Sequence, residues 1–354
     1  MKMFFQAGVE YKGKDYFSEP YGFGLFSYDL VSKKVEFCKL FEETDCIALH
    51  RKAFLYRNEA WFIPQAGTAI ACVNLDDFTM ERFEIPYKKR IDKPVIMFSD
   101  GIIEADRLYC APYDIDTLVI IDLRTHVVRT IHDFINPSKE NIMSISTDDG
   151  KIIFYPLQGE RVIYLDTTSE AITIEKRFDV SGEYSEAVWV DHKWYFAPGT
   201  DGELCQTGRG REIKISGFNK GNKGYLGHRI VDDKLIFLPF SADSILVVDV
   251  NDFSKESLIE IKCNFLLKEH LLVHIPSETR LLFADAANEN ILEMRLESLE
   301  LKKYSIFADE KEIKEEIRAK LGTDDRKRLY CKEKIFYESE WKYSLGDFLD
   351  YVTS

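Results

Sequence analysis

Lys234-Leu235-Ile236-Phe237-Leu238-Pro239, a polar loop from Phe240 to Ser244, and then Ile245-Leu246-Val247-Val248-Asp249-Val250 form the stretch that decides the fold. An apolar run of this length, closed by proline, fits a strand covered on both faces. Proline stops it because it cannot donate to a ladder. The second run ends at Asp249, whose side chain can accept hydrogen bonds from N–H groups two residues on and so pin a hairpin. Ser257-Leu258-Ile259-Glu260-Ile261 follows and is polar enough for an outer strand.

The same order recurs along the chain. Proline and turn residue lie ten residues apart from Pro64 to Asn74, Pro112 to Asp122, Pro156 to Asp166 and Pro239 to Asp249. Degenerate copies run from Pro198 to Gly208 and from Asp285 to Arg295, and an irregular first copy closes at Asp29. Successive anchors are 48, 44, 42, 41 and 46 residues apart. A fourth candidate strand precedes each unit, as Glu186-Ala187-Val188-Trp189-Val190 does. A period of this size, built only from short strands in fours, predicts an all-β, seven-bladed β-propeller of four-stranded antiparallel blades. The blades are expected over residues 1–307, with 308–354 belonging to the same domain as a short C-terminal helical extension.

Both ends depart from the repeat. Met3-Phe4-Phe5-Gln6-Ala7-Gly8 resembles the second strand of the next copy, Phe62-Ile63-Pro64-Gln65-Ala66-Gly67, so blade 1 is expected to lack its first strand. On that reading, the segment from Val9 to Phe23, with Tyr11, Tyr16, Phe17, Tyr21 and Phe23, contains a long aromatic loop. At the other end Asp309 and Glu312 predict a helix N-terminus, with Ile313, Ile317 and Leu321 on one face and Gly322 as its stop. Arg328–Cys331 or Lys334–Tyr337 is expected to supply the ring-closing strand, and a second helix is expected from Ser344.

The strand–loop–strand–Asp pattern of Leu118-Val119-Ile120-Ile121-Asp122 and of Leu246-Val247-Val248-Asp249 resembles the general kelch-like and quinoprotein-like propeller style. It carries no subfamily signature: the chain has no Gly-Gly doublet and no Trp-Asp. Ser146-Thr147-Asp148-Asp149-Gly150 matches only the start of a sialidase-type box and reads as a turn. The resemblance implies fold alone, since propellers host lactonases, lyases, sialidases, dehydrogenases and pure binding scaffolds.

Composition narrows the function. The 354 residues carry 47 Lys and Arg against 61 Asp and Glu, a net charge of −14. An acidic chain without a basic cluster is poorly suited to nucleic acid, because phosphate neutralisation supplies most of that affinity. No apolar run approaches a membrane span. The seven cysteines include no Cys-x-x-Cys pair, which fits reduced thiols in a cytoplasmic protein. The oligomeric state is not legible.

Propellers bind at a mouth of the central channel, where loops from every blade converge. The predicted residues there are Tyr11, Tyr16, Phe17, Tyr21, His50, Arg51, Tyr113, Arg161, Tyr184, Glu186, Tyr225, His228, Arg229 and His270. Tyrosines suit interface anchoring, and Arg51, Arg161 and Arg229 suit anions. His50, His228 and His270 sit at comparable places in three repeats, but three imidazoles without supporting ligands do not define a metal centre. No metal or cofactor is expected. The leading expectation is a non-catalytic binding or scaffold module that recognises a protein, peptide or carbohydrate. Its alternative is a propeller-fold lactonase, lyase or hydrolase acting in the channel mouth, with Glu186, Glu269 or His228 as base.

Overall fold

The computed structural model describes residues 2–3, 5–19, 24–41, 50–65, 67–87, 96–134, 141–156, 161–176, 184–199, 202–208, 211–218, 224–239, 242, 244–262, 274–277, 279–285 and 290–322. Seven four-stranded antiparallel sheets follow one another, each with its strands in sequence order. They span residues 7–40, 50–84, 98–131, 142–176, 184–216, 225–262 and 274–304, and are called blades 1 to 7. Blades 1, 2 and 7 with one helix form one compact unit, and blades 3 to 6 form another.

The second strand of each blade carries the core. Lys193–Pro198 buries Trp194, Tyr195 and Phe196 to 1% exposure or less, and Lys234–Pro239 buries Leu235, Phe237 and Leu238 completely. Burying one such side chain stabilises by about 1.5–3 kcal/mol, so a blade rests chiefly on this strand and its two neighbours. The outer strands of blades 2 and 6, Met80–Glu84 and Ile259–Lys262, hold no buried residue and carry charges.

Turns account for the repeat. First and second strands are joined by two-residue turns with both residues left-handed: Lys12-Gly13, Ala105-Asp106, Asp149-Gly150 and Asp191-His192. That geometry matches the twist of the flanking strands. The predicted pins are in place. Asp29 Oδ1 accepts the N–H groups of Val31 (2.9 Å) and Ser32 (2.8 Å), and Asp122, Asp166 and Asp249 do the same in their own hairpins. Asn74 accepts that of Asp76. Four residues after Asp29, Asn74, Asp122 and Asp166 the chain turns left-handed, at Lys33, Phe78, His126 and Glu170. Backbone hydrogen bonds hold the carboxyls of Asp29, Asp122 and Asp166 below their ordinary value.

Blade 1 corrects the sequence reading. It is complete, with strands Ala7–Tyr11, Lys14–Ser18, Gly24–Asp29 and Val35–Leu40. The expected aromatic loop is a hairpin, closed at Lys12-Gly13, in which Gly8 faces Phe17 and Val9 faces Tyr16. Glu19 therefore takes the place that Pro64 takes in blade 2, ten residues before Asp29, and the first copy is regular. Met3 pairs with Ile306 in a separate two-stranded sheet. The helix, α1 (Glu310–Lys320), starts as expected, with Asp309 accepting the N–H groups of Lys311 and Glu312. It ends at Lys320 with Leu321 as its C-cap, and Gly322 follows directly. The ring-closing strand and the second helix expected beyond it lie outside the described residues.

Candidate functional site

Four blades open their first strand with the same device. His50, Ile142, Tyr184 and Tyr225 lie opposite Pro64, Pro156, Pro198 and Pro239, and the register then slips. A bulge of this kind re-aims the side chains that follow it. In blades 2, 4 and 5 one residue is skipped, and Lys52, Ser144 and Glu186 resume the pairing. In blade 6 His228 is the next paired residue, opposite Phe237, and the slip is again one residue, with Gly227 where Lys52, Ser144 and Glu186 stand. His228 thus stands where Ala53, Ile145 and Ala187 stand in the other three blades, opposite Phe62, Phe154 and Phe196.

First strands of neighbouring blades are stitched by these side chains. Ser144 Oγ donates to the Ala187 carbonyl (2.5 Å), and Ser146 Oγ accepts the Trp189 N–H (3.2 Å). Ser185 Oγ accepts the Tyr225 N–H (2.9 Å) and donates to the Pro198 carbonyl (2.9 Å). Gly224 makes this close approach possible: it is left-handed, and a Cβ there would lie 1.9 Å from the Pro198 oxygen. Glu186 continues the pattern, its Oε2 accepting the N–H of Gly227.

Glu186 goes one step further than the serines. Its Oε1 lies 2.6 Å from Nδ1 of His228. The carboxylate is 2% exposed and the imidazole 13%. A carboxylate only accepts, so Nδ1 carries the proton, and in the neutral imidazole Nε2 holds the lone pair. No described residue hydrogen-bonds Nε2, and it is not among the enclosed side-chain atoms. The pair is a base whose tautomer and ring plane are set by a carboxylate, itself gripped through its second oxygen by a backbone N–H.

The other predicted residues fall elsewhere. Tyr11 reaches Asp76 (3.2 Å), Tyr16 is 6% exposed with its ring 6.2 Å from that of Phe78, and Phe17 is fully buried between Phe5 and Phe26. The last two are core residues of blade 1, not loop anchors. Tyr184 and Tyr225 are buried at the bulges, where burial pushes the Tyr184 phenol up. Arg51 and Tyr113 are half-buried, and Arg161 is exposed at the head of its strand. Arg229 is half-buried with no bond to its enclosed Nε, and burial lowers its pKa. His50 is 1% exposed between the rings of Phe41 (4.4 Å) and Phe62 (5.0 Å), and burial pulls its pKa down to about 3. It is a neutral core imidazole. Tyr21, His270 and Glu269 lie outside the described residues.

Gly227 was missed because its contribution is a backbone N–H, which no side-chain pattern announces. A second polar cluster was missed altogether. In the unit of blades 1, 2 and 7, Arg280 bonds Glu10 (2.9 Å) and Asp15 and lies 3.9 Å from Glu293. Asp15 is fully buried, and burial pushes its carboxyl up to about 7 even beside Arg280. The signal was a charge inside Lys14–Ser18, which reads as a strand once Lys12-Gly13 is recognised as a turn.

No family model matches the chain, and no curated protein matches it. Solved structures do. A streptogramin B lyase shares 12% identity at a TM-score of 0.58, over 76% of this chain and 86% of that one. A catalytically inactive virginiamycin B lyase from Staphylococcus aureus, with quinupristin, shares 13% at 0.60, over 80% and 92%. The computationally designed Ika8 protein shares 9% at 0.57, over 86% and 87%. At these identities the likeness is one of fold, and with the seven four-stranded blades it defines a seven-bladed β-propeller.

Proposed function

We propose that the protein is a propeller-fold enzyme of the acid–base kind, a lyase or hydrolase, in which His228 is the base and Glu186 holds it. The contact between Glu186 Oε1 and His228 Nδ1 carries this reading. Stitching alone accounts for Oε2, which meets the Gly227 N–H as the serines meet their own partners. It does not account for an imidazole placed where other blades have Ala53, Ile145 and Ala187. Repeat proteins break their own pattern where function demands it.

The chemistry follows from the geometry. Nε2 accepts a proton from carbon next to a carbonyl, for elimination, or from water, for hydrolysis. The Glu186 carboxylate stabilises the imidazolium that forms. The scaffold reading rested mainly on an aromatic loop that the fold places in a hairpin. A cytoplasmic location stays an expectation; no helix among the described residues is long and apolar enough to cross a membrane.

The test is turnover of a panel of lactones, cyclic esters and glycosides, with quinupristin included because one neighbour binds it. Mass spectrometry separates the mechanisms, since ring opening by elimination keeps the mass and hydrolysis adds one water. His228→Gln and Glu186→Gln are expected to lower kcat by about 10²–10⁴. Turnover that survives both substitutions refutes the assignment. Ligand binding without turnover by the native protein favours the scaffold instead.

A further inference from the structure

Helix α1 lies along the outermost strand of blade 1, Val35–Leu40. Glu312, Glu316 and Lys320 are spaced by four and form one row on the helix. Glu316 Oε2 accepts the N–H of Phe37 (2.8 Å), and Lys320 Nζ donates to the carbonyl of the same residue. Glu312 pairs with Lys34 (2.7 Å) just before the strand. Ile313 and Ile317 are fully buried on the same helix. Two side chains therefore occupy the outward N–H and C=O of Phe37, the groups that a further strand would pair with.

This edge differs from the other outer strands. Those of blades 2, 3, 6 and 7 hold no buried residue. Val35–Leu40 holds three: Val35 (3% exposed), Phe37 (0%) and Leu40 (6%). It is also complementary to itself. Laid antiparallel against a second copy about the Phe37–Cys38 centre, Val35 meets Leu40 and Glu36 meets Lys39. Apolar then faces apolar and acid faces base, the pairs that stabilise antiparallel strands. Such a contact is isologous and closes as a dimer.

We propose that Val35–Leu40 is a self-pairing edge through which two copies of the chain join, and that α1 holds it shut. Opening requires α1 to leave; Glu316 and Lys320 are the clasp. The claim is independent of the chemistry at Glu186 and His228.

The test uses the full chain. Glu316→Ala with Lys320→Ala is expected to speed amide exchange at Phe37 by about tenfold or more. Sedimentation should then show a concentration-dependent dimer that the parent lacks. Adding Lys39→Glu, which sets two acids opposite each other, should return it to monomer, and adding Glu36→Lys as well should restore the dimer. If the alanine pair does not fold, Glu316→Gln with Lys320→Met keeps side-chain size while removing the charges. A released edge that stays monomeric overturns the proposal, as does a dimer indifferent to Lys39→Glu. So does a parent dimer that Lys39→Glu disperses, since α1 would then guard nothing.

Discussion

Replacing Arg280 by methionine removes the one described cation that reaches all three carboxylates of a cluster, those of Glu10, Asp15 and Glu293. Glu10 and Glu293 retain 24% and 18% side-chain exposure and can turn to water; Asp15, at 0%, cannot. Breaking a buried pair from one side costs about 3–5 kcal/mol. Unfolding entropy of about 2.1 cal/mol/K per residue, over the whole chain, makes that a fall in Tm of about 5 °C. The loss should depend on pH. Asp15 titrates near 7 in the fold against 3.8 for a free carboxyl, because burial outweighs Arg280. A raised carboxyl pKa means that the folded state holds the proton longer, so this group's contribution is greatest at low pH and is lost as pH rises through about 7. Without Arg280 the folded pKa climbs further. The gap between variant and parent should therefore be small in mild acid and full in mild alkali. Calorimetry at both ends checks it, with Asp15→Asn in the Arg280→Met background as the control. A loss that is the same at both ends, or one that Asp15→Asn fails to relieve in alkali, refutes the reasoning.

Two further outcomes follow from buried groups. His50 is depressed to about 3 from 6.5, so its effect has the opposite sign: stability present above 6.5 is lost as pH falls towards 3. His50→Leu, which also removes an enclosed Nδ1 with no partner, should raise the urea midpoint at neutral pH and flatten its decline in acid; a lower midpoint at both would count against it. Gly224→Ala should cost about 2 kcal/mol or more and accelerate exchange at Tyr225, because a Cβ would strike the Pro198 carbonyl; unchanged exchange there would show that the strand entry is not clamped as described.

The fold was legible because blades 2, 3, 4 and 6 repeat one local signal. An apolar strand, a proline and a pinning Asp or Asn need no distant partner to be read, and the hydrogen bonds of Asp29, Asp122 and Asp166 match that reading. Blade 1 misled because its second strand, Lys14–Ser18, carries Asp15 among aromatic residues and ends at Glu19 rather than proline. The charge looked like loop and the proline anchor was gone. The site was half legible. Glu186, His228, Tyr225 and Arg229 were expected at the channel mouth, but among ten other residues and with no pairing between them. That Glu186 would reach across to His228 depends on the bulge at the strand entry, where Gly224 and Gly227 take a left-handed backbone that no motif announces.

The stitching between first strands bears on what Glu186 is for. If the only requirement were to join blades 5 and 6, a serine would suffice, as Ser144 and Ser146 suffice between blades 4 and 5. Ser185 already does that work at the adjacent position, through Tyr225 and Pro198. A buried carboxylate is a costly substitute unless hydrogen bonds satisfy it. Both of its oxygens are satisfied, but the second partner is an imidazole whose other nitrogen is left for something else. Another first-strand histidine, His50, is sealed between phenylalanines and neutral. Of the two, only His228 joins a fixed tautomer to an exposed edge. Blade 5 and blade 6 thus each give up a structurally sufficient residue at one register position, and they do so in the same place. Such paired departures make chemistry at that place a better explanation than architecture.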